Sequence, residues 1–225
     1  MLKTMIAAVL FTAYTFGAFA QGNYQELKDK AQGLCNAQQW KDAEKALNDA
    51  LSAASNDKEK SETLLLMAHC HFYSNSLDKA QQDLEKLLAL KPSDTGVKAK
   101  ILSMQAEIYL RTQRAEQAFK SFDEILSLPE LGKADRFKAE MGKGNALMSM
   151  QKIEEASSLF DKVITDKDAS PDIKAGALLQ KFHILDSQGK KDEAKKVLED
   201  IVNSPEMGEG FKNHAKYFLD GMKKN

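Results

Sequence analysis

The chain has 225 residues, 43% of them hydrophobic, with 32 Lys+Arg against 33 Asp+Glu and two Cys. That apolar content is enough for a packed core, which argues against wholesale disorder, and a near-neutral charge with three Arg (Arg111, Arg114, Arg136) leaves no cation excess for nucleic-acid phosphates. Two cysteines exclude a disulfide-dense mini-scaffold and a four-Cys zinc site.

In chain order, residues 1–20 come first and read as an address. Lys3 precedes an apolar run from Met5 to Phe16, then Gly17 and the small-x-small triplet Ala18-Phe19-Ala20. This layout predicts a bacterial-type secretory leader cut before Gln21, and so a periplasmic or secreted product. From Met5 to Ala20 the whole stretch is 16 residues long, short of the roughly 20 that span a bilayer. No later stretch approaches that length, so no membrane span is expected after cleavage.

From residue 24 the sequence repeats. Ala43, Ala80, Ala118, Ala156 and Ala194 are spaced 37, 38, 38 and 38 residues apart. Twelve residues before each stand Ala31, Ala68, Ala106, Gly144 and Phe182. Four residues after come Leu47, Leu84, Phe122, Phe160 and Leu198; three further on, Ala50, Leu87, Ile125, Val163 and Ile201; and next to those, Leu51, Leu88, Leu126, Ile164 and Val202. These spacings predict one apolar stripe on an α-helix. Leu27, Leu64, Leu102 and Leu178, with Leu34, His71, Tyr109, Leu147 and Leu185, define a second amphipathic helix in each unit. Between the two helices, Gln38, Asn75, Gln113, Gln151 and Gly189 form a turn column, and Pro92, Pro129, Pro171 and Pro205 fall in the connections after the second helices.

The expected fold is all-α: one solenoid domain over 21–225 made of five helix-turn-helix units at about 24–57, 61–94, 99–132, 137–170 and 175–208, closed by a capping helix at 211–224. Phe211, Ala215, Phe218, Leu219 and Met222 share a stripe on that last helix.

With these columns the units resemble tetratricopeptide repeats. In the second, Leu64, Met67-Ala68, His71, Leu77, Ala80, Leu84, Leu87 and Pro92 stand at the family's spacing; in the first, Trp40 supplies the usual aromatic before Ala43. The period of about 38, Phe182 in the small column and Glu140 in the Leu column depart from the pattern. The resemblance implies a right-handed superhelix whose first helices line a concave groove for a protein or peptide partner. Helical phasing then directs His69, Phe72, Tyr73, Glu107, Leu110, Arg111, Asn145, Met148, His183 and Asp186 to the groove, with Ser149, Ser187, Gln32, Cys35 and Asn36 beside them. Aromatic and Arg side chains suit binding hot spots, although Glu107 and Arg111 also fit a plain i,i+4 surface pair. The clamp by which some repeats hold a chaperone C-terminus is incomplete: Lys28 and Lys100 match its lysines, but Gln32, Leu66 and Met104 replace the other donors.

Other candidates reduce to structure. His69 and His71 lie two apart on a helix, about 200° around the axis, and cannot chelate one ion; His71 reads as a core histidine. Cys35 and Cys70 stand at similar heights on equivalent helices, as either a disulfide pair or two independent buried thiols. The sequence has no G-x-S-x-G, P-loop, G-x-G-x-x-G or H-E-x-x-H motif, so neither an enzyme nor a cofactor or metal is expected. An exported, non-enzymatic adaptor is the leading reading. The alternative is a structural subunit of a cell-envelope assembly that makes contact through its convex faces or C-terminal helix.

Overall fold

The computed structural model describes residues 23–222. Among them lie eleven α-helices and no strand: α1 (23–36), α2 (Trp40–Ala53), α3 (Asp57–Tyr73), α4 (Leu77–Ala89), α5 (Thr95–Arg111), α6 (Ala115–Leu126), α7 (Lys133–Ser149), α8 (Ile153–Thr165), α9 (Pro171–Ser187), α10 (Lys191–Asn203) and α11 (Glu209–Met222). The leader proposed at 1–20 lies outside the described residues. The fold is an all-α solenoid of helical hairpins.

Each hairpin turns in the same way. Gln38, Asn75, Gln113, Gln151 and Gly189 all take positive φ, between 58° and 74°. The amide one residue beyond each of them donates back to the carbonyl of Leu34, His71, Tyr109, Leu147 or Leu185, over 2.7–2.9 Å. The turn column itself donates to Cys35, Phe72, Leu110, Met148 and Asp186. These paired 6→1 and 5→2 bonds are the Schellman closure, which satisfies carbonyls that a helix end would otherwise leave bare. Only Gly189 takes the left-handed conformation without a Cβ penalty.

The chain divides into two compact units, one ending at Ile101 and one beginning at Leu102. In the first, α2 packs on α3 and α3 on α4, burying Ala31, Ala43, Leu47, Ala50, Ala68, Ala80, Leu84 and Leu87 almost completely. In the second, α6 packs on α7, α7 on α8, α8 on α9, α9 on α10 and α10 on α11. One core there gathers Phe137, Leu147, Ala156, Phe160, Val163 and Ile184. A second gathers Leu179, Phe182, Leu185, Leu198, Ile201 and Ala215, with Phe211, Phe218, Leu219 and Met222 leaning on it from α11. Phe182, the exception in the small column, fills this core from α9.

Two expectations need correction. The column after Ala50, Leu87, Ile125, Val163 and Ile201 sits at the edge of the stripe: Leu51, Leu126, Ile164 and Val202 are half-buried and Leu88 is 36% exposed. One residue further is 100° around the helix, enough to leave the packed face. Pro171 opens α9 and does not lie in the connection before it, because Ser170 caps the helix by accepting the Ile173 amide at 3.3 Å, and the first helical position needs no N–H.

Candidate interaction surfaces

On the first unit, the α1/α3 face carries a cleft of about 370 Å³ bordered by Lys28, Gln32, Glu62, Leu65, Leu66 and His69. Lys28, one of the clamp-matching lysines, is committed to Glu62 at 2.6 Å, a hydrogen bond that raises its pKa. His69 meets the Tyr73 ring at a tilt, with centroids 4.5 Å apart, and partial desolvation holds its pKa below the usual histidine value. Tyr73 is 59% exposed, as the groove reading requires. Phe72 is not: at 8% exposure it points inward, and its ring meets Tyr73 edge-on at 5.3 Å. Its neighbour faces solvent, and consecutive helical positions diverge by 100°.

Cys35 is buried as well, and removed from the groove. It faces Cys70, also buried; both are free thiols, each near enough to shift the other's pKa. Burial pushes both pKa values up, that of Cys70 to about 12.

His71 is the core histidine expected, and its partners come from two other helices. Nδ1 lies 2.6 Å from Asp83 of α4 and Nε2 lies 3.6 Å from Glu44 of α2. Glu44 pairs with Lys79 at 2.7 Å, a hydrogen bond that holds its carboxyl below the usual range, and Asp83 pairs with Lys86 at 3.2 Å. Sequence reasoning missed Asp83. Its signal was a lone carboxylate in the column Ala46, Asp83, Ser121, Leu159, Val197, facing the lone histidine of the neighbouring column.

On the second unit, a cleft of about 350 Å³ is lined by Ser103, Glu107, Leu110, Met141, Asn145 and Ile173, among others. It brings together three of the predicted groove residues: Glu107, Leu110 and Asn145. Glu107 is desolvated there, which raises its carboxyl pKa against the opposing pull of Arg111; Arg111 itself is exposed. Gly142 keeps one wall low, because a Cβ there would meet the Phe122 ring at 2.3 Å. Met148 is half-buried and packs on the core.

His183 and Asp186 go elsewhere, toward α11. His183 meets Phe218 edge-on at 5.2 Å, and its pKa is lowered by burial and then by His214. Asp186 pairs with Lys191 at 2.7 Å on the rim of a cleft of about 670 Å³ that also takes in Phe182, Tyr217, Phe218 and Met222. Among the described residues, no group of three His, Cys, Asp or Glu side chains could hold a metal ion, and no helix is long and apolar enough to cross a membrane.

Residues 61–94, which cover most of α3, α4 and the turn between them, match the tetratricopeptide repeat family model. No curated protein sequence matches the chain. Among solved structures, the chain is similar to BtubC (BKLC) from P. vanneervenii, at 15% identity and TM-score 0.64, over 92% of this chain and 91% of that one. It is similar also to kinesin light chain-like, nearly identical TPR-like repeats from Podosopora anserina, at 15% identity and TM-score 0.60, over 78% and 91% of the two chains. A third likeness is to MamA MSR-1 C2, at 16% identity and TM-score 0.51, over 89% and 98%. The hairpin 61–94 is thus a tetratricopeptide repeat, and the chain has the all-α solenoid fold of tetratricopeptide-repeat proteins.

Proposed function

We propose that the chain is an exported, non-catalytic adaptor that binds a segment of a partner protein along the first-helix faces of its hairpins. Tetratricopeptide folds serve in general as protein-interaction scaffolds. The observation carrying the reading is the cleft of the second unit, where Glu107, Leu110 and Asn145 come together beside Met141 and Ile173. An apolar floor with few polar groups above it suits an extended segment that buries one apolar side chain and hydrogen-bonds through its backbone. Export rests on the leader-like residues 1–20.

Affinity capture from a native cell-envelope extract tests this, comparing the parent with a Leu110→Arg/Asn145→Arg variant that melts at the same temperature. A partner held by the parent and lost by the variant supports the groove; equal capture removes it. A second reading, docking through the C-terminal helix, is favoured by Tyr217, 75% exposed beside the α9/α11 cleft. It predicts loss of the partner on Tyr217→Ser instead.

A further inference from the structure

Helices α1 and α3 run side by side in a fixed register. The Tyr24 hydroxyl donates to the Glu59 carbonyl at 3.0 Å, a separation of 35 residues, and accepts from Thr63 at 3.3 Å. Lys28 reaches Glu62 at 2.6 Å, a separation of 34. Both partners advance together, so the helices are parallel. Seven residues on, two helical turns and about 10 Å along the axis, Lys28 gives way to Cys35 and Glu62 to the pair His69-Cys70. Of these two, His69 faces solvent and Cys70 is buried against α1. The register therefore places Cys35 opposite Cys70, both buried, and each thiol shifts the other's pKa there.

We propose that Cys35 and Cys70 are a disulfide-forming pair that cross-links α1 to α3 and pins the first hairpin to the second. Their juxtaposition continues the row that Tyr24 and Lys28 begin. The bridge would enclose the rest of the first hairpin, about 35 residues, inside one loop. The first hairpin benefits most, because among the described residues it packs against a neighbour on one side alone. The inference does not depend on the groove reading.

The oxidant is a small or protein disulfide. Either thiol can open the exchange, since burial raises the pKa of both. When Cys35 leads, its sulfur loses its proton to solvent and attacks one sulfur of the oxidant; the other leaves as a thiolate and is protonated. Cys70 then loses its proton and attacks the Cys35 sulfur, expelling the second oxidant thiol. Two protein thiols and one disulfide become one protein disulfide and two thiols, so atoms and electrons balance.

The test uses the full chain, reduced, unfolded in denaturant and refolded by dilution into mixtures of oxidised and reduced glutathione. Remaining thiols are trapped with N-ethylmaleimide and the intact mass is read. The expected product lacks two hydrogens, carries no maleimide and no glutathione, and melts about 5–12 °C above the reduced chain. Reduction removes that shift, and a Cys35→Ala/Cys70→Ala variant never shows it. Glutathione adducts or two alkylated thiols across the whole range of mixtures would overturn the proposal, as would a bridge that lowers the melting temperature. Should the double variant fail to fold, the mass of the parent still decides.

Discussion

Gly144 offers the sharpest test of how the repeat columns were filled. It occupies the column that holds Ala31, Ala68 and Ala106 in earlier hairpins, so Gly144→Ala restores the commoner residue, on a helix where Ala is better than Gly by about 1 kcal/mol. Yet a Cβ at Gly144 would lie 2.5 Å from Cε1 and 2.6 Å from Cζ of Phe160. Carbon–carbon contacts are comfortable at about 3.5–4.0 Å, so the shortfall is about 1 Å. Phe160 is fully buried among Phe137, Val163 and Ile184 and has nowhere to retreat. Overpacking costs about 1–3 kcal/mol, and a shortfall of this size against a confined ring belongs to the upper part, about 2–3 kcal/mol; less the propensity gain, the net loss is about 1–2 kcal/mol, or about 3–6 °C in melting temperature. Phe160→Leu alone leaves a void and costs about 1 kcal/mol. The double variant recreates the Ala68/Leu84 pairing of α3 and α4, so the two losses should not add, with a coupling near 1 kcal/mol in thermal or denaturant melts. Gly33→Ala is the control: nothing lies within 4 Å of its Cβ, and it should stabilise by about 0.5–1 kcal/mol. A Gly144→Ala variant that melts with or above the parent, or strict additivity, would refute the packing argument.

Further outcomes follow from the buried polar groups. Glu140 reaches Lys162 at 2.9 Å and Arg136 at 3.7 Å, but its Oε2 is buried without a partner. Glu140→Leu, which restores the Leu column, should be neutral or stabilising by up to about 2 kcal/mol in urea melts. Asp83→Leu strands His71 in the core and should cost about 3 kcal/mol, whereas His71→Leu/Asp83→Leu should cost less, because an unmatched buried group is worse than an apolar pair. The folded pKa of Glu44 is depressed, so its contribution is present above the unfolded carboxylate pKa and is lost as pH falls through the folded value; Lys79→Met should flatten that acid limb in pH-dependent melts. His183 is also depressed, so the folded state binds fewer protons than the unfolded one below about pH 6.5 and loses stability as pH falls. His214→Gln should raise the His183 pKa in an NMR titration, by less than a full return because burial is the larger cause.

How much of this was legible in the sequence depended on whether a residue's neighbours came from its own helix stripe or from another element. Ala43 through Ala194 and Leu47 through Leu198 could be read because a 3.6-residue period and a 38-residue period fix the same positions twice. The turn column was equally clear, since the left-handed residue has one place in a Schellman closure, and Gln38, Asn75, Gln113, Gln151 and Gly189 all hold it. Phe72 was misassigned because phasing alone leaves about 100° between consecutive residues, and the boundary between groove and core falls inside that arc. Met148 failed for the same reason.

Clefts and buried pairs were harder because they join different columns of different hairpins. Asp83 with His71, and Glu140 with Lys162, could have been found by asking which polar residue interrupts an apolar column and which opposite charge lies across the same hairpin. That rule applies once to each unit. In the first, His71 interrupts the column of Leu34, Tyr109, Leu147 and Leu185, and Asp83 answers it from α4. In the second, Glu140 interrupts the Leu column of α7, and Lys162 answers from α8. In both cases the carboxylate keeps a lysine one helical turn or one helix away at the solvent edge, Lys86 at 3.2 Å and Lys162 at 2.9 Å. Charge at that edge offsets the cost of bringing a carboxylate into the core. A polar interruption in an otherwise apolar repeat column is therefore informative about which two helices pack, and by itself says nothing about a ligand.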